Sequence, residues 1–477
     1  MVNIRKIAFL LVATSSCFAT TWTVDDDGKA DFSSIQEAID ASSNGDFIYV
    51  QEGIYFEHIN FQGKAITVEG VNVENTIIDG SKRIGAVVTF ENGESNASVL
   101  SKFWIRGGSG NYWTDPIFGP QRCGGGIFCN QSSPMIQLCN ITDNSAWGGA
   151  GLFATEGEPI ILFSQILHNE AQGHGGGMYL IRQANALIDS CDFSQNIASW
   201  GGGITCTLQS DSQILNCSFT ANVTNNVGGG MFIRSSSSPT VINSLFENNV
   251  QQTNPLGSGG GICIYGGGNG GGPCFPAITD CYFVGNAVLG DGGGIAAAYS
   301  GHPKLTNCSF DSNHAGRSGG GLACVADPDH IYTSTPDVQY CSFTNNSADE
   351  EGGGIHARYS DPILSGIQVI DNSANNVGGG INFFDSPHAT MVNSTVCGNS
   401  PNPIEGAYID IGGNTVEDGC VVCEGDTNDD GVVDVTDLLA AVGSWGPCQG
   451  CDVDIDGNGV VDVTDLLLIV GNWGDCQ

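Results

Sequence analysis

"GGGITCTLQSDSQILNCSFTAN", residues 201–222, is the stretch from which the fold can be read. Three glycines lead into apolar residues at Ile204 and Cys206, and Phe219 later precedes Asn222 by three places. The frame recurs: glycine triplets begin at Gly124, Gly175, Gly201, Gly228, Gly259, Gly292, Gly319, Gly352 and Gly378, with a variant "GGAG" from Gly148. The Phe-x-x-Asn pair follows at Phe193/Asn196, Phe219/Asn222, Phe246/Asn249, Phe283/Asn286, Phe310/Asn313 and Phe343/Asn346. Outer copies replace Phe with Ile141 or Val396 but keep Asn144 and Asn399. A fixed period near 26 residues marks a repeat architecture.

The first place after each triplet is Ile127, Leu152, Met178, Ile204, Met231, Ile262, Ile295, Leu322, Ile355 or Ile381. The third place is always apolar as well, from Cys129 to Phe383, whereas the second and fourth are mixed. That alternation predicts a strand with one permanently buried face. Two places before the Phe, a second inward row reads Cys139, Cys191, Cys217, Cys281, Cys308 and Cys341. With two or three short strands per period and no helical pattern, the chain is expected to form a parallel β-helix of roughly a dozen coils.

Stacked coils repeat at about 4.8 Å, so like residues form ladders. The glycines would serve tight turns and close stacking. The Asn would sit at a bend and bond to its copy one coil away. The cysteines would be buried thiols filling space. Longer spacings place inserted loops near residues 251–258, 265–275 and 327–337.

The chain carries a net charge of −37, from 14 basic and 51 acidic residues. That balance argues against nucleic acid and anionic membranes as partners. No apolar run beyond the N-terminus is long enough to span a bilayer. At the N-terminus, Arg5 and Lys6 precede an apolar run that ends in small residues at Ala19. This predicts a signal peptide over residues 1–19 and a secreted or surface-located chain. Beyond it, Ser34 and Glu37 form a capping-box pair ahead of Ile35, Ala38 and Ile39, predicting a short amphipathic helix that closes the solenoid's open end. Strands are expected at 47–50, 65–69 and 76–78.

The segment from Thr23 to Gly80, with "DFSSIQEAID", "GDFIYVQEGIY" and "TIIDG", resembles the opening of pectin-lyase-like right-handed β-helix proteins. The "GGG[ILM]" and "FxxN" units resemble the repeats of polymorphic outer-membrane proteins. Together they imply an all-β right-handed parallel β-helix over residues 20–419. Function does not follow, because that fold carries lyases, hydrolases, esterases and inert adhesins.

From Cys420 the composition changes. "DTNDDGVVDVTD" (426–437) and "DIDGNGVVDVTD" (454–465) are near-duplicates 28 residues apart. Asp426, Asn428, Asp430, Asp434 and Asp437 occupy places 1, 3, 5, 9 and 12, with the Val432 carbonyl at place 7. Asp454, Asp456, Asn458, Asp462, Asp465 and the Val460 carbonyl repeat the set. This spacing wraps oxygens round one point and predicts two Ca²⁺ ions. Val433 and Val461 are expected to pair the two loops, and the "DLL" runs to begin helices.

Asp at place 12 and the lack of a preceding helix resemble a type I dockerin over residues 420–477. The resemblance implies a cohesin-like protein partner. At places 10 and 11 the sequence has Val435–Thr436 and Val463–Thr464, where cellulosomal dockerins often carry hydroxyl pairs. Cys420, Cys423, Cys448 and Cys451 spell two C-x-x-C pairs. The exported setting favours disulfides over zinc, and Cys476 leaves the pairing open.

A catalytic site is not legible. Only twelve basic side chains lie beyond Lys6, and no lyase-type "WIDH" or "RxPxxR" motif is present. His174 sits in a "GHG", but this overlaps a structural triplet and lacks an aspartate pair one coil away. The second places after the triplets carry Phe128, Phe153, Tyr179, Phe232 and His356, with Arg234 and Arg358 at fourth places. Such an outward row could stack sugar rings or lie beneath covering loops. Two functional classes follow: a polysaccharide-binding protein, which if enzymatic would be a lyase or glycoside hydrolase, and a non-catalytic adhesin or structural cell-surface protein.

Overall fold

The computed structural model describes residues 19–115, 119–267, 271–326, 332–420, 425–428, 432–448, 451 and 453–475. The expected signal peptide falls almost wholly outside this range. The chain divides into two units, residues 1–416 and 417–477.

The larger unit is a parallel β-helix with four strands per central coil. One coil runs from Gly201 through Ile204–Thr207 (sheet I), Gln213–Leu215 (sheet II), Ser218–Thr220 (sheet III) and Val223–Val227 (sheet IV) to Gly228. Among the described residues, sheets I to IV contain 13, 15, 14 and 9 strands. Register is strict: Ile204 pairs with Met231, Ile214 with Val241 and Phe219 with Phe246. The expected two or three strands become four because the segment after the Asn also pairs.

The inward rows pack as read. The first places after the triplets are wholly buried in one continuous core. Phe193, Phe219, Phe246, Phe283, Phe310 and Phe343 stack at centroid spacings of 4.5 to 4.9 Å. The six cysteines of the second inward row are buried free thiols. Burial pushes the Cys139 thiol up to about 12, so it stays protonated and donates to the Gln137 carbonyl. The Asn row is an unbroken ladder of side-chain amides from Asn144 to Asn399.

The triplet divides its work. Gly201 adopts φ +67°, a conformation open mainly to glycine. At Gly202 the constraint is contact: a Cβ there would lie 2.5 Å from the Gly229 carbonyl oxygen on the next coil.

At the N-terminal end, α1 (Ile35–Ala41) buries Ile35, Ala38 and Ile39. Ser34 caps it as expected, accepting from the Glu37 amide, but among the described residues the Glu37 carboxylate does not accept from the Ser34 amide in return. Glu57, from the next strand region, accepts from the Ile35 and Gln36 amides at 2.9 and 3.0 Å. One feature has no sequence precursor in the repeat. Asn111–Asp115 and Gly119–Cys123 form an antiparallel hairpin just before the first triplet.

In the smaller unit, α2 (Val435–Gly443) and α3 (Val463–Gly471) contain the "DLL" runs and start two residues ahead of them, capped by Asp434 and Asp462. The expected loop-to-loop pairing does not occur. Val433 pairs with Gly474 and Val461 with Gly446, so each loop is tied to the segment following the other helix. Both valines are fully buried.

Candidate functional site

The outer face of sheet I has two contrasting halves. In the N-terminal half the expected aromatic row is present but covered. Phe128, Phe153 and Tyr179 form a second apolar cluster with Ala86, Cys123 and Ile181, over which the hairpin lays Trp113. The Trp113 and Phe153 rings are 5.1 Å apart, and Phe128 stacks on Phe153 at 5.4 Å. Phe232 is also buried, with the half-buried Arg234 guanidinium 5.8 Å from its ring. These side chains point away from the coil as read, but they offer no face to a sugar. The reason is area: so much apolar surface on one sheet is stabilised by covering it.

His174 belongs to the same cluster. It stacks between Tyr179 at 5.1 Å and Trp200 at 4.9 Å. Burial, with a smaller contribution from Arg234, pushes its pKa down to about 3. It is a neutral packing residue with no carboxylate partner among the described residues.

The C-terminal half is polar. Here the residues just before the triplets are acidic: Asp291 before Gly292, and Glu350–Glu351 before Gly352. The parallel stacking brings together groups that lie far apart in sequence. Arg317 reaches Asp291 at 3.2 Å and Glu350 at 3.8 Å. His356 Nδ1 lies 3.9 Å from Glu351 Oε2, and Asn382 donates to that same oxygen at 3.3 Å. An open cleft of about 480 Å³ lies over this cluster, walled by Tyr299, Tyr359 and Phe384.

Burial raises the Asp291 carboxyl pKa against the opposing pull of Arg317 and Arg358. Burial, then the same two arginines, pushes His356 down to about 3. His356 is therefore a neutral imidazole with a buried Nδ1 that has no hydrogen-bond partner among the described residues.

Arg358 is half-buried in this cleft and makes no ion pair or side-chain hydrogen bond among the described residues. In contrast, Lys102, Arg106, Arg182 and Arg317 are each paired with a carboxylate. A half-buried guanidinium without an ion pair keeps donors that can meet an anion, and its charge also pulls on the Asp291 carboxyl. Of this cluster the sequence reading singled out His356 and Arg358. It missed Asp291, Arg317, Glu350 and Glu351, whose one local signal is acidic residues placed directly before a triplet.

In the smaller unit, carboxylate oxygens of Asp454, Asp456 and Asp465 lie within 4.8 Å of one another. The loop is already wound: Asp454 accepts from the Asn458 and Gly459 amides, and Asp465 from the Ile455 and Asp462 amides. Burial opposes charge on Asp465, yet the backbone donors hold its pKa below the ordinary value, which keeps it an anion. Hard oxygen donors converging on one point fit Ca²⁺. Asp462 lies beside them as the α3 cap, and Val460 and Asn458 complete the loop backbone.

In the first loop, Asp437 is buried and accepts from the Thr427 and Asp434 amides, while Asp434 caps α2. Asp426, Asn428 and Val432 flank it, and Asp430 lies outside the described residues. Cys448 and Cys451 are joined by a disulfide; Cys420 here and Cys397 in the larger unit are each disulfide-bonded as well. Cys423 and Cys476 lie outside the described residues.

Each helix leaves an equivalent apolar stripe exposed. Val435, Leu439, Val442 and Trp445 on the first correspond to Val463, Leu467, Val470 and Trp473 on the second, all at least half exposed.

A family model described as "Right handed beta helix region" matches residues 52–272 and 257–396. A probable pectinesterase/pectinesterase inhibitor of Arabidopsis thaliana is 41% identical over 83 residues, which are 17% of this chain and 16% of that protein. Among solved structures, the catalytic unit of a GH87 α-1,3-glucanase from Streptomyces thermodiastaticus is 14% identical. It has a TM-score of 0.46, with 80% of this chain and 65% of that one covered. PfbA, a surface adhesin of Streptococcus pneumoniae, is 13% identical with a TM-score of 0.38, covering 75% and 87%.

Proposed function

The chain belongs to the right-handed β-helix family, and from that premise we propose that it is an exported polysaccharide-binding protein. Its proposed binding site is the polar cleft on sheet I. The observation carrying this reading is Arg358, a half-buried guanidinium without an ion pair among the described residues, which lines the same cleft as Tyr299, Tyr359 and Phe384. Aromatic walls suit the apolar faces of pyranose rings, and the guanidinium suits a sugar carboxylate. The ligand class is thus a carboxylate-bearing polysaccharide: Arg317 pairs with the Glu350 of this cleft, and Arg358 offsets the charge of Glu351 that would otherwise repel a polyanion. The short likeness to a plant pectinesterase is compatible with this class.

The smaller unit is proposed to hold two Ca²⁺ ions and to dock a cohesin-like protein, which would seat the chain in a surface-attached assembly. The paired apolar stripes on α2 and α3 supply a surface for such docking. The test is binding of the full chain to polygalacturonate and alginate by affinity electrophoresis, with depolymerisation followed in parallel. Arg358→Ala should weaken binding about tenfold or more without lowering the melting temperature. Equal binding by the variant, or no binding of either polymer by the wild type, would sink the proposal.

A further inference from the structure

A second groove runs along the corner between sheets II and III, on a different edge of the coils from the Arg358 cleft. Each coil turns this corner through one residue with a left-handed backbone: Phe163, Ser190, Asn216 and Asn243 have φ between 48° and 55°. That conformation turns the bend side chain outward. The next residue points inward and is small, here Ser164, Cys191, Cys217 or Ser244. The one after that begins sheet III and points outward again, forming the row Gln165, Asp192, Ser218, Leu245, Tyr282. Two outward rows with a sunken floor between them make a trough, with an open volume of about 560 Å³.

The trough has an aromatic ring at either end. Phe163 is 58% exposed and Tyr282 is 55% exposed, although both lie within regular, fully paired coils. They are four coils apart, roughly 19 Å at the parallel-strand spacing. Hydrogen-bonding groups in fixed positions occupy the coils between them. Asn243 donates to Asn216 at 2.8 Å, Asn216 donates to Asp189 at 2.8 Å, and Ser218 donates to Asp192 at 2.9 Å. These bonds fix the amides and the Asp192 carboxylate, whose Oδ2 makes no hydrogen bond among the described residues.

We infer that this trough is a binding site for a neutral polysaccharide chain lying along the solenoid axis. Three features select that ligand. Rings at both ends offer stacking platforms for pyranose faces. The amides, hydroxyls and carboxylates between them match sugar hydroxyls, one set per coil, at a spacing close to the length of one sugar unit. Among the described residues no basic side chain lines the trough, and with Asp192 in its wall and Asp189 bonded to its Asn216 an acidic polymer would be repelled. The site is independent of the Arg358 cleft in position and in charge.

The experiment uses the full chain against glucomannan, xylan, laminarin, galactomannan and dextran by affinity electrophoresis, with polygalacturonate as the acidic comparison. The wild type should bind at least one neutral polymer. Phe163→Ala with Tyr282→Ala should weaken that binding tenfold or more at unchanged melting temperature, and Phe163→Tyr should retain it. Arg358→Ala should leave it untouched, which separates this site from the cleft. Wild-type protein that binds none of the neutral polymers overturns the inference. So does a double alanine variant that binds them as the wild type does.

Discussion

Asn222 gives both its backbone amide and its side-chain Nδ2 to one oxygen, Oδ1 of Asn249 on the next coil, each at 3.0 Å. Asn222 Oδ1 in turn receives the same two donors from Asn196. Every inner rung is thus acceptor to one neighbour and donor to the other, and Asn196, Asn222 and Asn249 have no solvent access. Asn222→Ala would orphan two buried donors on Asn196 and the Phe193 carbonyl that Asn222 satisfies. The expected cost is about 2–5 kcal/mol, since unsatisfied buried groups carry the full desolvation penalty. The midpoint of chemical unfolding, compared with that of a surface Gln213→Ala control, checks this.

Gly202→Val should destabilise the coil by several kcal/mol, an order of magnitude expected from backbone displacement. Its Cβ would meet the Gly229 and Val223 carbonyl oxygens at 2.5 and 2.7 Å. Thr205→Ser should cost more than an outward position implies, though far less than Gly202→Val. Thr205 is fully buried and donates to the Trp200 carbonyl at 2.8 Å, which Ser preserves while losing a buried methyl. About 1 kcal/mol is expected. Melting temperatures of both variants provide the measurement.

Stability should fall as pH drops below 6.5. His174 and His356 each have a folded pKa of about 3, so the unfolded chain binds protons that the folded chain refuses. Their contribution is fully present above pH 6.5 and declines toward pH 3, by about 1.4 kcal/mol per pH unit for each histidine. Unfolding free energies at pH 7 and pH 5 should show this loss. His174→Gln should remove roughly half of the histidine-linked slope, whatever it does to absolute stability. An unchanged slope would refute the assignment of His174 as a buried neutral ring.

Calorimetry on the full chain should record two calcium ions, with Asp426→Ala plus Asp454→Ala abolishing binding. Chelator should shift a transition belonging to residues 417–477 and leave the β-helix transition in place, because ligand binding stabilises only the unit that binds it. A chelator-insensitive thermogram would contradict the calcium proposal.

The sequence by itself determined what repetition can determine. A period near 26 residues stacks each position on its copy, so the inward rows from Ile127 to Ile381, the Phe stack, the cysteine row and the Asn ladder were all legible. Stacked identical residues meet the same neighbours in every coil, and one reading serves for all. The outward positions have no such guarantee. Only tertiary structure decided that Phe128, Phe153 and Tyr179 are sealed, because their cover is a hairpin at Asn111–Cys123 that belongs to no repeat. Only tertiary structure brought Asp291, Arg317, Glu350 and Arg358 beside one cleft, and likewise set Phe163 and Tyr282 at the two ends of one trough. Inside the coil, burial follows from the local alternation of apolar residues. Outside it, burial and charge pairing depend on what long-range stacking and insertions place overhead, and no local pattern encodes that.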